Sequence, residues 1–295
     1  MDGLVFHEEP PQKLPTMIVA FGGWPDAAEA ATGAVRHVVD NLNATKFAEI
    51  DPEEFFDFTV VRPQLRENEA GERLIRWPAN DFYYYAPEEQ ANGLLLFIGT
   101  EPNLRWRAFS RLMLSVADRC GVETVVSLGA LLDEVPHTRD SRITGRATSP
   151  ELAQKVEWLG MRSSRYQGPT GIHTAFMDAC TKEGLPLAGI WGHSPHYVST
   201  MPNPKLTHAL LTRLGSLVEL DMPMDDLLKS GDEYVREVDE AIAGQPHVTA
   251  YVKKLEERFD TAAAPSGEIP SPEAMVQELE QYLQSQQRPE QGENA

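Results

Sequence analysis

Apolar positions fall along this chain in two alternating textures: short continuous runs ended by glycine, and longer stretches with helical spacing. Met17-Ile-Val-Ala-Phe21 is apolar throughout and stops at Gly22-Gly23, as a strand covered on both faces does. Asp26 and Glu29 stand at capping-box spacing ahead of an alanine-rich run to Asp40, which predicts a helix. Phe58-Thr-Val-Val61 is predicted as a second strand. Arg73 to Trp77 and Phe82 to Tyr85 flank the turn-prone Pro78-Ala-Asn-Asp81 and predict a hairpin or a pair of edge strands. Leu94 to Ile98 reads as a central strand. Gly99-Thr-Glu-Pro102 ends it, and Phe109, Leu112, Met113 and Val116 mark one face of a helix from Leu104 to Cys120 that Gly121 stops.

The alternation continues. Glu123 to Leu128 is a strand, and the polar stretch from Asp133 to Ser149 is a long loop with a short strand near Ile143. Ser149-Pro150-Glu151 starts a helix, with serine as cap and proline at the first position. Gly168-Pro-Thr-Gly171 opens another that runs to about Gly184, Leu187 to Trp191 is the last clear strand, and a helix from Pro204 to Leu217 follows. From Pro223 the texture changes to two helical stripes, one through Leu227, Val235, Val238 and Ile242 and one through Val248, Tyr251, Val252, Leu255 and Phe259. Gly244-Gln245-Pro246 separates them, so a helical hairpin is expected. Thr261 to Pro270 reads as a linker, Ser271-Pro272 as the start of a last amphipathic helix, and the tail after Ser285 as disordered.

Strands that alternate with helices define an α/β fold, a three-layer αβα sandwich on a mostly parallel central sheet, with an acidic helical hairpin at its C-terminal end. The expected divisions are an N-terminal extension (1–15), a core domain (16–220), the hairpin (221–260) and a linker, short helix and flexible tail (261–295).

Composition narrows the function. The chain has 295 residues and a net charge of −19, so it repels phosphate backbones and nucleic acid is not an expected partner. No apolar run approaches the roughly 18 residues of a membrane span, and the N-terminus lacks the basic and apolar regions of a signal peptide. Cys120 and Cys180 are too few for a disulfide framework and fit a reducing, cytoplasmic compartment. Eight acidic residues between Asp221 and Gly244 against Lys229 and Arg236 form either a solvated helix face or a surface for a basic partner.

In open parallel sheets ligands bind beyond the carboxyl ends of the strands. Gly22, Gly23, Glu101, His137, Arg139 and the segment His193 to Tyr197 fall there. Glu101 is a candidate acid or base, or a partner for Arg105 or Arg107. His137 beside Arg139 could move a proton and hold a carboxylate or phosphate, or could satisfy nearby carbonyls and acids. Gly168, Thr170 and Gly171 could present amides to an anion, or form an ordinary turn capped by Thr170. His193 and His196 flank Pro195 and do not share a helical face, and no C-x-x-C or HExxH pattern marks a metal site. Nucleophile-elbow, P-loop and dinucleotide fingerprints are absent, so no cofactor is expected. Phe82 to Tyr85, Trp106 and Trp191 suit core or interface positions.

Five segments in order and register carry a family resemblance: Phe21-Gly-Gly-Trp-Pro-Asp-Ala-Ala28; Gly99-Thr-Glu-Pro102 with Arg105-Trp-Arg107; Leu128-Gly-Ala-Leu-Leu132 leading to Pro136-His-Thr-Arg139; Tyr166-Gln-Gly-Pro-Thr-Gly-Ile172; and Trp191 to Tyr197. Together they resemble the proteasome assembly chaperone family, in its bacterial, actinobacterial-type branch. The resemblance implies a three-layer domain similar to nucleoside phosphorylases that self-associates, with a trimer favoured. It also implies a protein partner, because eukaryotic and archaeal relatives help to assemble proteasome subunits. Chaperones that dock on the proteasome often end in hydrophobic-Tyr-any; this chain ends Gly292-Glu-Asn-Ala295, so docking by that route is not expected. The expectation is an assembly-chaperone-like interaction protein; the alternative is an enzyme or a binder of a nucleoside- or phosphate-like anion at the strand-end rim.

Overall fold

The computed structural model of the protein describes residues 3–68, 71–87, 93–163, 166–199 and 201–263. The expected helix after Ser271 and the tail lie outside these residues. The strands are β1 (Leu4–Phe6), β2 (Thr16–Gly22), β3 (Thr45–Ile50), β4 (Gln64–Glu67), β5 (Arg73–Arg76), β6 (Asn80–Tyr85), β7 (Leu94–Thr100), β8 (Thr124–Asp133), β9 (Ile143–Ala147) and β10 (Leu187–Pro195). The α-helices are α1 (Ala30–Asn41), α2 (Trp106–Cys120), α3 (Pro150–Trp158), α4 (Ile172–Lys182), α5 (Pro204–Val218), α6 (Asp225–Ala243) and α7 (Pro246–Ala263). Eight strands form one sheet in the order β1-β3-β6-β7-β2-β8-β10-β9, and β4 and β5 pair apart from it. The centre, β7-β2-β8-β10, is parallel, while β1, β6 and β9 run against their neighbours.

Period-two alternation on β2 divides the core. Met17, Val19 and Phe21 face one layer, with α2 and α4, and Ile18 and Ala20 face the other, with α1 and α5. On the first face Phe21 lies 5.1 Å from Phe97 and 6.0 Å from Phe109, ring centre to ring centre, and Phe55 lies 5.2 Å from Phe109. Tilted and edge-to-face pairs of this kind add about 0.5–1.5 kcal/mol each beyond the area they bury. On the second face Ala30, Ala31 and Ala34 let α1 lie close to the sheet.

Two strand assignments differ from the sequence expectation. Residues 58–61 form a turn, because Asp57 accepts hydrogen bonds from the Thr59 amide (2.8 Å) and hydroxyl (2.6 Å) and so draws the backbone away from extension. The next strand in chain order after β2 is instead β3, whose register shifts between Lys46 and Ala48. Arg73 to Arg76 pairs with β4 and not with Phe82 to Tyr85; β6 is taken by β3 and β7.

The chain leaves the core through a tight turn after α5, where Glu219 is left-handed (φ 57°) and Leu220 N–H donates to Gly215 O at 3.0 Å. A Cβ at Gly215 would lie 2.6 Å from the Leu220 carbonyl oxygen. Alanine is the better helix former by about 1 kcal/mol, but this clash is with backbone, and overpacking of this sort costs about 1–3 kcal/mol. Gly215→Ala is therefore expected to lower the urea midpoint of unfolding despite its helix propensity.

Candidate functional site

The strand-end rim begins with Asp26. After β2 the chain makes a bend in which Ala28 and Glu29 are both left-handed (φ 55° and 52°), at about 1–2 kcal/mol per residue. The expected capping box does not form, and α1 starts only at Ala30. The Asp26 carboxylate nevertheless reaches the helix: Oδ1 accepts from Ala31 N at 2.7 Å and Thr32 N at 3.2 Å, and Oδ2 accepts from the Thr32 hydroxyl. Burial pushes the Asp26 carboxyl above its ordinary value, and the hydrogen bonds from Thr32 and Ala31 oppose that shift. Asn203 N donates to Ala28 O at 3.0 Å and clamps the bend from α5.

Glu101 does the same for α4. Its Oε1 accepts from Ile172 N at 2.8 Å, and a Cβ at Gly171 would stand 2.7 Å from that oxygen, so glycine is what lets the carboxylate in. Burial raises the Glu101 pKa, with the Ile172 bond working against it. Arg105, a partner considered from sequence, pairs with Glu54. The Thr170 hydroxyl bonds to Thr174 and not to an amide of its own turn, and Tyr166 covers Gly168 while donating to Pro169 O at 3.0 Å.

His137 and Arg139 lie elsewhere on the rim and hold the C-terminal helices. The His137 side chain is fully buried, with Nδ1 2.8 Å from Tyr197 Oη and Nε2 3.1 Å from Asp239 Oδ1 on α6. Tyr197 Oη already accepts the His137 amide at 2.9 Å, and burial pushes its pKa up to about 12, so it donates to Nδ1. Nε2 then carries the proton and donates to Asp239. Burial depresses the His137 pKa, Asp239 partly opposing it, which keeps the ring neutral. Arg139 forks onto Asp260 of α7 (2.8 and 2.9 Å) and reaches Glu256 at 3.1 Å; these carboxylates hold its pKa up. Thr138 bonds to Glu256, Arg258 to Glu134 at 3.2 Å, and the Arg142 guanidinium lies 5.7 Å from the Phe259 ring centre. No local spacing marks the meeting of the acidic helices with this loop, because the pairs stand more than a hundred positions apart.

Sequence reading also missed a chain through Asp133. Asp133 Oδ2 lies 2.8 Å from His193 Nδ1, and His193 Nε2 lies 3.0 Å from the Thr144 hydroxyl. Burial of Asp133 opposes its charge, but His193, the Glu134 amide and Arg142 outweigh it and hold the carboxyl below the ordinary range. The order is that of a nucleophilic triad. His193 is 11% exposed, however, and the cavity it lines has about 10 Å³, room for one water and not for a substrate. The chain fastens β9 and β8 to β10.

Gly22 and Gly23 line a different, open cleft of about 890 Å³ beyond the ends of β2 and β7. It shares no lining residue with the small cavity at His137 and Arg139. Among the described residues no group of three or more His, Cys, Asp or Glu could hold a metal ion, and no helix is long and apolar enough to cross a membrane. Cys120 and Cys180 are buried, and burial pushes their thiols up to about 11 and about 12.

Fold and rim together define an αβα protein in which Asp26 and Glu101 close the starts of α1 and α4, and His137 and Arg139 are engaged by α6 and α7. The chain belongs to the PAC2 family, whose sequence profile matches residues 20–242. It is similar to a PAC2 family protein from Streptomyces avermitilis, with 39% identity, coverage of 81% of this chain and 99% of that one, and a TM-score of 0.74. A proteasome-assembly chaperone homologue from Mycobacterium tuberculosis is also 39% identical, over 80% of this chain and 99% of its own, with a TM-score of 0.72. PbaB, an archaeal proteasome activator from Pyrococcus furiosus, shares the fold at 18% identity, with 83% and 99% coverage and a TM-score of 0.65. No curated protein matches the chain.

Two outcomes follow from the geometry. Arg139→Ala removes the fork to Asp260, so faster amide hydrogen exchange across residues 246–260 is expected, with exchange in β2 and β8 unchanged. His173, beneath the rim, is fully buried, with Nδ1 2.5 Å from the Ser127 hydroxyl, and burial pushes its pKa from 6.5 down to about 3. Between those values the unfolded chain binds a proton that the folded chain refuses. Its contribution is therefore full above about pH 6.5 and is lost as pH falls, by about 1.4 kcal/mol per unit. Denaturant titrations of His173→Asn should lack that increment when compared with wild type across the window.

Proposed function

We propose that this protein is a homo-oligomeric, cytoplasmic assembly factor that acts on a protein partner, in the manner its family name indicates. The observation that carries the reading is 39% identity along almost the whole length of a proteasome-assembly chaperone homologue. Two features of the surface support it. The charged groups at the His137 end of the rim are spent on internal contacts, as described above. Of the five tryptophans, Trp24 is 67% and Trp158 85% exposed. Large aromatic rings left in water are costly for a monomer and common at the centres of protein interfaces.

Self-association as a trimer is the form the family resemblance implies, and the unassigned specific role is the choice of partner. Sedimentation at micromolar concentration is expected to give a single species of three chains, and affinity capture at physiological salt to retain a discrete partner that re-binds after purification. Trp158→Ser, at the solvent-facing end of α3, should weaken either self-association or partner binding without lowering the melting temperature. A monomer that captures no partner would sink the proposal.

A further inference from the structure

We infer that the cleft beyond β2 and β7 is a binding site for a hydroxyl-bearing organic phosphate, gripped by Arg36, Arg62 and Arg76. The inference goes beyond the assembly reading and does not rest on it.

The cleft sits at the switch point of the sheet. α1 follows β2 on one face and α2 follows β7 on the other, so the two neighbouring strands part their connections above and below and leave a crevice at their carboxyl ends. Gly22, Gly23, Gly99 and Thr100 form its floor. Its volume, about 890 Å³, falls within the range of small-molecule sites, roughly 300–1,000 Å³. The left-handed bend at Ala28 and Glu29 is part of its wall. Backbone held in this region by surrounding clamps, here Asp26 and Asn203, is a recurrent feature of binding sites.

Charge selects the ligand. Arg36 comes from α1, Arg62 precedes β4, and Arg76 ends β5; all three line the cleft. None has a hydrogen-bond or ion-pair partner among the described residues. That is unexpected in a chain whose acidic residues outnumber lysine and arginine by 45 to 26. The carboxylates in the cleft do not quench them. Asp26 is spent on the amides of α1, and Asp81 is paired with Lys46 at 2.9 Å. Glu29 and Asp40 also line the cleft and are bonded to no cation. Three guanidinium forks facing one cleft suit the oxygens of a phosphate. Two unengaged carboxylates suit donors on the same molecule, which hydroxyl groups supply. Trp77, from the end of the β4–β5 hairpin, offers an apolar wall beside them.

The test uses the full chain with ribose 5-phosphate as probe, and ribose and inorganic pyrophosphate for comparison, by calorimetry and thermal shift at low salt. Ribose 5-phosphate is expected to bind and raise the melting temperature, pyrophosphate to bind more weakly, and ribose not at all. Arg36→Ala and Arg76→Ala should each weaken ribose 5-phosphate binding by roughly ten- to a hundredfold. Both residues are exposed and unpartnered, so the unliganded melting temperature should not move. Arg107→Ala and Arg111→Ala on α2, outside the cleft, should bind like wild type. If pyrophosphate binds as tightly as ribose 5-phosphate, the role of Glu29 and Asp40 fails. Binding that the α2 variants weaken as much as the cleft variants do, or no binding by either phosphate compound, overturns the site.

Discussion

The carboxylate of Asp26 is the contact around which the rim is arranged. A parallel sheet with helices on both faces turns the amino ends of those helices, and their unsatisfied amides, toward one edge. In many such folds an exogenous anion fills that position. Here Asp26 accepts from two amides and the hydroxyl at the start of α1, and Glu101 accepts from the first amide of α4. Burying a carboxylate is expensive unless its oxygens are matched by donors, and these donors offset that cost. A capping bond of this kind contributes about 1 kcal/mol. With these two helix ends closed from within, the bonded amides of α1 and α4 are not available to a ligand at the rim.

This division gives the rim two halves of different character. On the β8–β10 side, His137, Arg139, Glu134 and His196 are committed to α6 and α7, so the polar residues that look most reactive in sequence serve as fasteners. On the β2–β7 side, among the described residues, α6 and α7 do not reach the strand ends, and Arg36, Arg62 and Arg76 have no partners. One half of the edge thus holds the acidic helices in place, and the other is open to solvent.

The layered architecture was legible because both of its signals are local. Met17–Phe21 and Leu94–Ile98 are apolar throughout since both faces are covered, and the serine and proline at the start of α3 act as they read, Ser149 accepting from Leu152 N. β3 escaped notice because Thr45, Lys46 and Glu49 dilute its apolar face and a register shift breaks its alternation. The site was harder to read. Glu101 meets Ile172 across 71 positions of sequence and His137 meets Asp239 across 102, and no spacing rule spans such distances. Candidate residues could be placed on the rim by the strand-end rule. Whether each was engaged depended on packing between layers.

The unequal lengths of the central strands have a further consequence. β2 parts from β8 after Ala20 and Leu128, whereas β8 and β10 stay paired to Asp133 and Pro195. The carboxyl edge of the sheet is therefore a terrace and not a line. Its upper step projects far enough to act as a pier for α6 and α7, and its lower step lies recessed beneath the α1 and hairpin walls. A molecule approaching the lower step meets exposed cations on a chain that is otherwise strongly negative. An acidic chain repels a large polyanion as a whole, so local cations of this kind favour a small one.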